Sequence, residues 1–412
     1  MQSQGRFALE EYSDRNVLTT WTMSYEQVQK QSNEAAWLLK LWGFLDHGEL
    51  WYELVAAASE LSKKVDVPTW LLSIAKHNLA YTNAVGLLSS YSLADAREGS
   101  NSHSMHSVLH RWCGQLVEDK EQHVLGCIAA GIVAINVPFK SEPESWKQRK
   151  RLLGHAIGVS AWLIKTSFAE DEETDVGMIQ ESTYHNLGYF LAGEDRQKAE
   201  KMYQRALRGK EKAWGLEHTS TLGTVNNLGS LYAKLGRLDE AEKMYQRALQ
   251  GKEKAWGLEH TSTLDTVNNL GVLYADLGRL DEAEKMYQRA LHGYKKAIKP
   301  ENLSTYLPAL NNVWSFALLY DHQHQVEDAR VWYSKALSGF ENVLGTDHPK
   351  CQTIRRKLAV LGTESEQDDR SRAQSSAQRP SATDLSTNIE AEAVKPASRR
   401  HKLFRKFRRK LG

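Results

Sequence analysis

The segment EKMYQRAL-x-GKEKAWGLEHTSTL occurs twice, at residues 200–222 and 242–264, and the two copies differ only at Arg208 and Gln250. A period of about 42 residues constrains the fold more tightly than any other feature, because a unit this short cannot bury its apolar face alone. Copies must therefore stack in order, each covering its neighbour. Stacking yields a long continuous surface, which suits recognition of an extended partner better than catalysis.

Within one unit, Val267, Leu270, Gly271 and Tyr274 fall at i, i+3, i+4 and i+7, so they share one face of a helix over 264–277. Gly278 is placed to end that helix and Asp281 to cap a second one, where Ala283, Tyr287, Ala290 and Leu291 repeat the helical spacing. Small residues at 271, 283 and 290 let the two helices approach, with Tyr274 and Tyr287 filling the gaps between them. In the earlier copies the second helix is expected to end near Trp214 and Trp256, stopped by Gly215 and Gly257. Thr219 or Ser220, and Thr261 or Ser262, then offer N-caps for the next first helix.

Leu228, Gly229, Tyr232, Ala241, Tyr245 and Ala248, followed by Leu270, Gly271, Tyr274, Ala283, Tyr287 and Ala290, form a pattern that resembles the tetratricopeptide repeat. The long period and the GKEKAWGLEHTST extension are similar to the subclass in kinesin light chains and in many fungal signalling proteins. Degenerate copies flank the pair. Leu187, Gly188, Ala199, Tyr203 and Ala206 form an earlier one, and Tyr320, Ala329, Tyr333 and Ala336 a later one. Aligning the later copy on Asn311 and Asn312, with a longer turn, is preferred over aligning it on Tyr320, which puts Trp314 in the place of Asn268. Residues 354–361 then form a terminal capping helix, and 146–165 a helix leading into the stack.

The tetratricopeptide resemblance implies that the first helices line a concave groove. Asn226 with Asn227, Asn268 with Asn269, and Asn311 with Asn312 resemble the asparagine ladder of the kinesin-light-chain groove. An amide offers two donors and two acceptors, so it can hold a peptide backbone with little regard for sequence. The same amides can instead tie neighbouring helices together. Lys234 and Asp276, one turn further on, would tune the charge of that groove or be solvated surface.

Three zones separate by composition: a Trp- and Leu-rich zone over 16–139 after a flexible start over 1–15, a repetitive helical zone over 140–361, and a polar tail over 362–412 expected to be disordered. In the first zone, TTWTMSYEQVQKQSNEAAWLLKLWGFLDHGELWYELV, NAVGLLSSYSLADA and SHSMHSVLHRWC resemble the helical and winged-helix part that follows the nucleotide-binding core of fungal NB-ARC and NACHT-type regulatory ATPases. The residues themselves suggest an amphipathic helix through Ala35, Trp37, Leu38, Leu41, Trp42 and Leu45. They also suggest a strand or hairpin over 87–94 leading into a helix at 104–112. The resemblance makes His106, which follows Met105, a nucleotide-contact candidate, although Ser107 stands where that family has Asp. The fold class expected overall is all-α: a winged-helix-like helical domain, a tetratricopeptide superhelix and a disordered tail.

Enzymatic alternatives find little support. No G-x-x-x-x-G-K-[ST] phosphate loop is present, since the GKEK segments at Gly209 and Gly251 lack the second glycine and the hydroxyl. His103, His106 and His110 approach a helical metal spacing without a completing ligand. No cofactor is expected. Three scattered cysteines, Cys113, Cys127 and Cys351, do not make a disulfide framework. The longest apolar run, near 124–139, is shorter than the ~20 residues a membrane-spanning helix needs and reads as a core helix. The N-terminus lacks the pattern of a signal peptide, so cytoplasm is the expected compartment, with the nucleus open.

The balance of 53 Lys and Arg against 51 Asp and Glu gives no general case for nucleic acid. Locally, Arg399, Arg400, Lys402, Arg405, Lys406, Arg408, Arg409 and Lys410 surround Phe404 and Phe407 in a basic amphipathic pattern, a candidate for anionic membrane surfaces or acidic partners. The expected activity is non-enzymatic: protein or peptide binding in the groove. It would serve either as the sensor arm of an NLR-like protein, whose nucleotide-binding core would lie on another chain or in a longer gene product, or as a stand-alone kinesin-light-chain-like adaptor.

Overall fold

The computed structural model describes residues 12–138, 145–167 and 180–362. The basic candidates from Arg399 to Lys410 and the segment before residue 12 lie outside them. The chain divides into two compact units, one up to Ala213 and one from Trp214.

The first unit contains α1 (Tyr12–Gln31), α2 (Asn33–Trp42), β1 (Leu50–Trp51), α3 (Tyr52–Ala56), α4 (Ala58–Leu61), α5 (Thr69–Lys76), α6 (Asn78–Ser90), β2 (Asp95–Ala96), β3 (Ser102–Ser104), α7 (Ser107–Cys113), α8 (Asp119–Ile135), α9 (Ser145–Ser167), α10 (Glu181–Leu191) and most of α11 (Arg196–Trp214). The Ser32 hydroxyl caps α2 by accepting the Ala35 N–H at 3.1 Å, and the helix then buries Ala35, Ala36, Leu38, Leu39, Leu41 and Trp42. Each large apolar side chain so enclosed contributes about 1.5–3 kcal/mol. The apolar run near 124 lies in α8, a core helix packed against α4, α9 and α10. Gly126 makes the contact with α9 possible: a Cβ there would sit 2.3 Å from the Trp162 ring.

The three short strands form an antiparallel sheet in the order β1-β3-β2. The hairpin expected over 87–94 is displaced. Residues 87–90 complete α6, and the paired segments are 95–96 and 102–104, because burial of Tyr81, Ala84, Val85 and Leu88 on one face prolongs the helix. The loop between α2 and β1 is held by two histidines. His155, fully buried, accepts the Asp46 N–H at Nδ1 (3.0 Å) and reaches the Glu49 carbonyl with Nε2 (2.8 Å), while His110 Nε2 lies 2.7 Å from the Leu45 carbonyl.

The second unit is a series of helical hairpins: α12 (Thr219–Leu235) with α13 (Leu238–Trp256), α14 (Thr261–Asp276) with α15 (Leu280–Ala297), a short α16 (Pro300–Leu303), α17 (Leu307–His322) with α18 (Val326–Leu344), and a closing helix over 349–362. The small-residue pattern works as its chemistry predicts. Ala241, Ala283 and Ala329 are fully buried, and a Cβ on Gly271 would meet the Tyr287 ring at 2.6 Å. All these helices form a tetratricopeptide-type solenoid.

Two local expectations are corrected. Asp281 is not the cap of α15; the chain turns at Arg279, and Asp281 lies inside the first helical turn, where its carboxylate still complements the helix dipole. The later copy keeps the short turn, so its register follows Tyr320, not Asn311 and Asn312. Leu310 packs against Gly339 as Leu222 does against Gly251 and Leu264 against Gly293. His324, at φ 61°, takes the left-handed turn position that Gly236 (80°) and Gly278 (77°) hold in the other copies. Asn311 therefore occupies the place of Asp265, Asn312 that of Thr266, and Trp314 that of Asn268.

Candidate functional site

The same loop device sets two of the first helices, α12 and α14, whereas α17 begins after Tyr306 with no side-chain cap. After Trp256, Gly257 takes φ 87°, a conformation other residues adopt only with strain. The Trp256 ring stacks on His260 at 4.6 Å, His260 Nδ1 accepts the Ser262 N–H at 3.2 Å, and Thr263 donates its hydroxyl to the Gly257 carbonyl at 3.0 Å. Trp214, Gly215, His218, Ser220 and Thr221 reproduce the arrangement; ahead of the closing helix, Leu344 takes the tryptophan's place, and His348 Nδ1 still accepts the Lys350 N–H at 3.1 Å. The N-caps are thus histidines, not the threonines or serines expected; those lie just inside the helices. Imidazole Nδ1 serves as the acceptor, and the tryptophan fixes the ring plane.

The first helices of successive copies lie against one another and are joined by short side chains. Asn226 Oδ1 accepts from Thr266 Oγ1 (3.1 Å) and from Asn269 Nδ2 (3.2 Å), and Asn268 Oδ1 accepts from Asn312 Nδ2 (3.0 Å). The second helices are instead bridged by long pairs such as Arg289 with Glu253 at 2.5 Å. Short links on one layer and long ones on the other place the first helices on the inner side of the stack.

This geometry divides the candidate asparagines. Asn226 and buried Asn268 tie neighbouring copies together. Asn312, buried at the Thr266 position, bonds Asn268 and the Tyr287 carbonyl (3.3 Å), and its own Oδ1 is unpartnered. Asn311 accepts from Lys350 Nζ at 2.8 Å. The second member of each complete pair is half-exposed: Asn227 takes only a long bond at Oδ1 from Asn226 (3.4 Å), and Asn269 uses its Nδ2 alone. Asn227 thus retains a donor and Asn269 an acceptor on the inner face. Lys234 is exposed and Asp276 half-buried on the same side, and both already have partners within the chain.

A buried lysine stands behind this face. Lys252 Nζ donates to the Ser262 carbonyl (3.1 Å) and Thr266 Oγ1 (2.9 Å), joining α13 to the following first helix. Burial lowers its pKa to about 8, against the opposing pull of Asp265. Asp265 is raised by burial, opposed by the Tyr294 hydroxyl at 2.5 Å and by Lys252. Sequence reasoning missed this lysine. The signal was present, because Lys252 continues the buried stripe Ala241, Tyr245, Ala248, and the third and fourth copies carry Tyr294 and Phe340 in its place.

In the first unit, His106 caps α7, accepting the Val108 N–H at Nδ1 (3.3 Å). His103 lies in β3 and His110 bonds Leu45, so the three histidines serve different elements. Burial lowers the pKa of His103 and His110. Among the described residues no three His, Cys, Asp or Glu side chains are grouped to hold a metal ion. Cys113, Cys127 and Cys351 are buried thiols.

A tetratricopeptide-repeat family model matches residues 180–254 and 220–296, and a second one matches 315–350. No curated protein sequence matches the chain. Solved structures with a similar arrangement include a Podospora anserina protein described as a kinesin light chain with nearly identical TPR-like repeats (20% identity, 46% of this chain and 89% of that one, TM-score 0.37). Others are NprR in complex with its cognate peptide NprX (17%, 66% and 72%, 0.38) and a signal transduction ATPase with numerous domains and a tetratricopeptide repeat sensor from Pyrococcus horikoshii (12%, 87% and 56%, 0.29). The chain carries tetratricopeptide repeats, a non-catalytic protein-interaction scaffold, over most of its second half.

Proposed function

We propose that the array over residues 219–362 binds an extended peptide or protein segment along its first helices. The observation that carries this reading is the half-exposed amide row on the inner layer. Asn227 and Asn269 are locked in place by Asn226 yet retain backbone-like hydrogen-bonding capacity, which a peptide main chain can use. Selection from a displayed random-peptide library on the full chain tests it. Peptides captured by the wild type should bind Asn227→Ala/Asn269→Ala about tenfold more weakly, at an unchanged melting temperature; undiminished capture would overturn the reading.

The finer role we favour is that of a cytoplasmic sensor or regulatory arm of an NLR-like protein, in which ligand binding biases the packing of a nucleotide-binding core. The small helical unit with its hairpin ahead of the His106-capped α7 supports that reading over a free adaptor. His106 uses Nδ1 as a cap, which leaves Nε2 as the atom for a phosphate oxygen. His106→Ala should abolish ADP-dependent association with such a core supplied as a second chain; association indifferent to ADP and to His106 would contradict it.

A further inference from the structure

The loops that join one helical hairpin of the second unit to the next present large apolar side chains to solvent. Leu216 and Leu258 are each 61% exposed, and Trp214 and Trp256 beside them are 46% and 38% exposed. They belong to two copies of one pentapeptide, WGLEH, at 214–218 and 256–260. The two loops form adjacent rungs. Arg247 on α13 donates to the Leu216 carbonyl at 3.4 Å, and Lys254, two residues before Trp256, pairs with Glu217 at 2.5 Å. Lys296 pairs with Glu259 at 2.7 Å in the same way. In the following copy Ile298, Lys299 and Pro300 replace the Trp, Gly and Leu, so the ladder ends after two rungs.

Each rung is held in place by its own copy. The tryptophan ring lies against a histidine, at 5.1 Å for Trp214 and 4.6 Å for Trp256, and threonine hydroxyls donate to the Gly215 and Gly257 carbonyls at 3.0 Å. An aromatic side chain already ordered loses little freedom on contact, so its burial is retained as association energy. Together the four side chains expose on the order of 400 Å² of apolar surface, the size at which a contiguous patch on a soluble chain marks an interaction site. The patch lies at the hairpin-joining loops, apart from the half-exposed amides of the first-helix layer.

Charge and symmetry select the occupant. The ion pairs beside the rungs balance Lys254 and Lys296 against Glu217 and Glu259, so they favour neither an acidic nor a basic partner, nor an anionic bilayer. A second copy of the chain fits instead. Because the rungs are identical in sequence, a two-fold axis between them sets Trp214 and Leu216 of one copy over Trp256 and Leu258 of the other, and matches WGLEH with WGLEH at both rungs. We propose that two chains associate edge to edge and antiparallel through these rungs, independently of what the groove binds.

Sedimentation velocity of the full chain tests the proposal. The wild type should pass from monomer to dimer between about 1 and 100 µM, as suits an interface at the small end of specific contacts. Leu216→Glu/Leu258→Glu, at exposed positions, should weaken the dimer about tenfold or more at an unchanged melting temperature. Cross-linking reads the arrangement: a mixture of Leu216→Cys and Leu258→Cys chains should give covalent dimers with a short bis-maleimide, and each variant alone should not. Cys113, Cys127 and Cys351 are buried away from the reagent. If the glutamates lower the melting temperature, the cross-linking result decides. A wild type that stays monomeric to about 100 µM, a dimer indifferent to the glutamates, or cross-links within one variant alone would overturn the proposal. Binding of a monomeric wild type to phosphatidylserine vesicles, lost in the glutamate variant, would overturn it too and assign the rungs to a lipid surface.

Discussion

Replacing Asn268 with alanine should cost stability rather than ligand binding alone, and the size follows from its surroundings. Asn268 is 8% exposed and its Oδ1 accepts the Nδ2 of fully buried Asn312 at 3.0 Å. Asn312 already has an unpartnered Oδ1, so its remaining bond would be the 3.3 Å contact to the Tyr287 carbonyl. Loss of a net hydrogen bond, with a buried donor left poorly satisfied, costs about 1–2 kcal/mol. For a unit of about 150 residues this lowers the melting temperature by about 2–8 °C. Circular dichroism melts of the full chain, with hydrogen exchange to localise the loss to 261–322, would measure it. Asn269→Ala, at a half-exposed site, should cost a few tenths of a kcal/mol. Coupling between Asn268→Ala and Asn312→Ala should amount to about 1 kcal/mol in a double-mutant cycle. If Asn268→Ala melts with the wild type while Asn269→Ala does not, the division of labour within the asparagine pair is wrong.

Other outcomes follow from the same geometry. Gly271→Ala should destabilise by about 1–3 kcal/mol through collision with the Tyr287 ring, less about 1 kcal/mol of regained helix propensity, readable by urea denaturation. Lys252→Met should leave the protein as stable or more so at neutral pH, because it removes a desolvated charge and a later copy fills the place with an aromatic ring; a loss above about 2 kcal/mol would show that the bonds to Ser262 and Thr266 dominate. Stability of the first unit should fall on acidification. Burial holds His185 at about 3, below its unfolded value of 6.5, and holds His155 low as well, so the unfolded state binds more protons below pH 6.5. A histidine kept neutral to pH 5.5 costs about 1.4 kcal/mol there relative to pH 7.5, and His155→Gln should flatten its share of that slope in chemical denaturation.

The period, the paired helices and the Gly–Ala–Tyr packing stripe were legible because each rests on spacing along one helix. What escaped depended on contacts between elements. His218 and His260 cap helices through Nδ1 with their rings packed on Trp214 and Trp256, a use of histidine that capping preferences for Ser and Thr do not contain. The register of the later copy was drawn to Asn311 and Asn312 by their likeness to the earlier pairs. It is decided instead by Leu310 fitting against Gly339 and by His324 adopting the turn conformation of a glycine. Among the paired asparagines, the sequence did not show which amide of each pair is consumed between repeats.

Hydrogen–deuterium exchange of the full chain with a library-selected peptide tests the groove most directly. Binding should protect backbone amides in 219–235, 261–276 and 307–322 and leave 238–256 and 280–297 unchanged. Protection centred on the second helices, or none at saturating peptide, would contradict a binding surface on the first-helix layer.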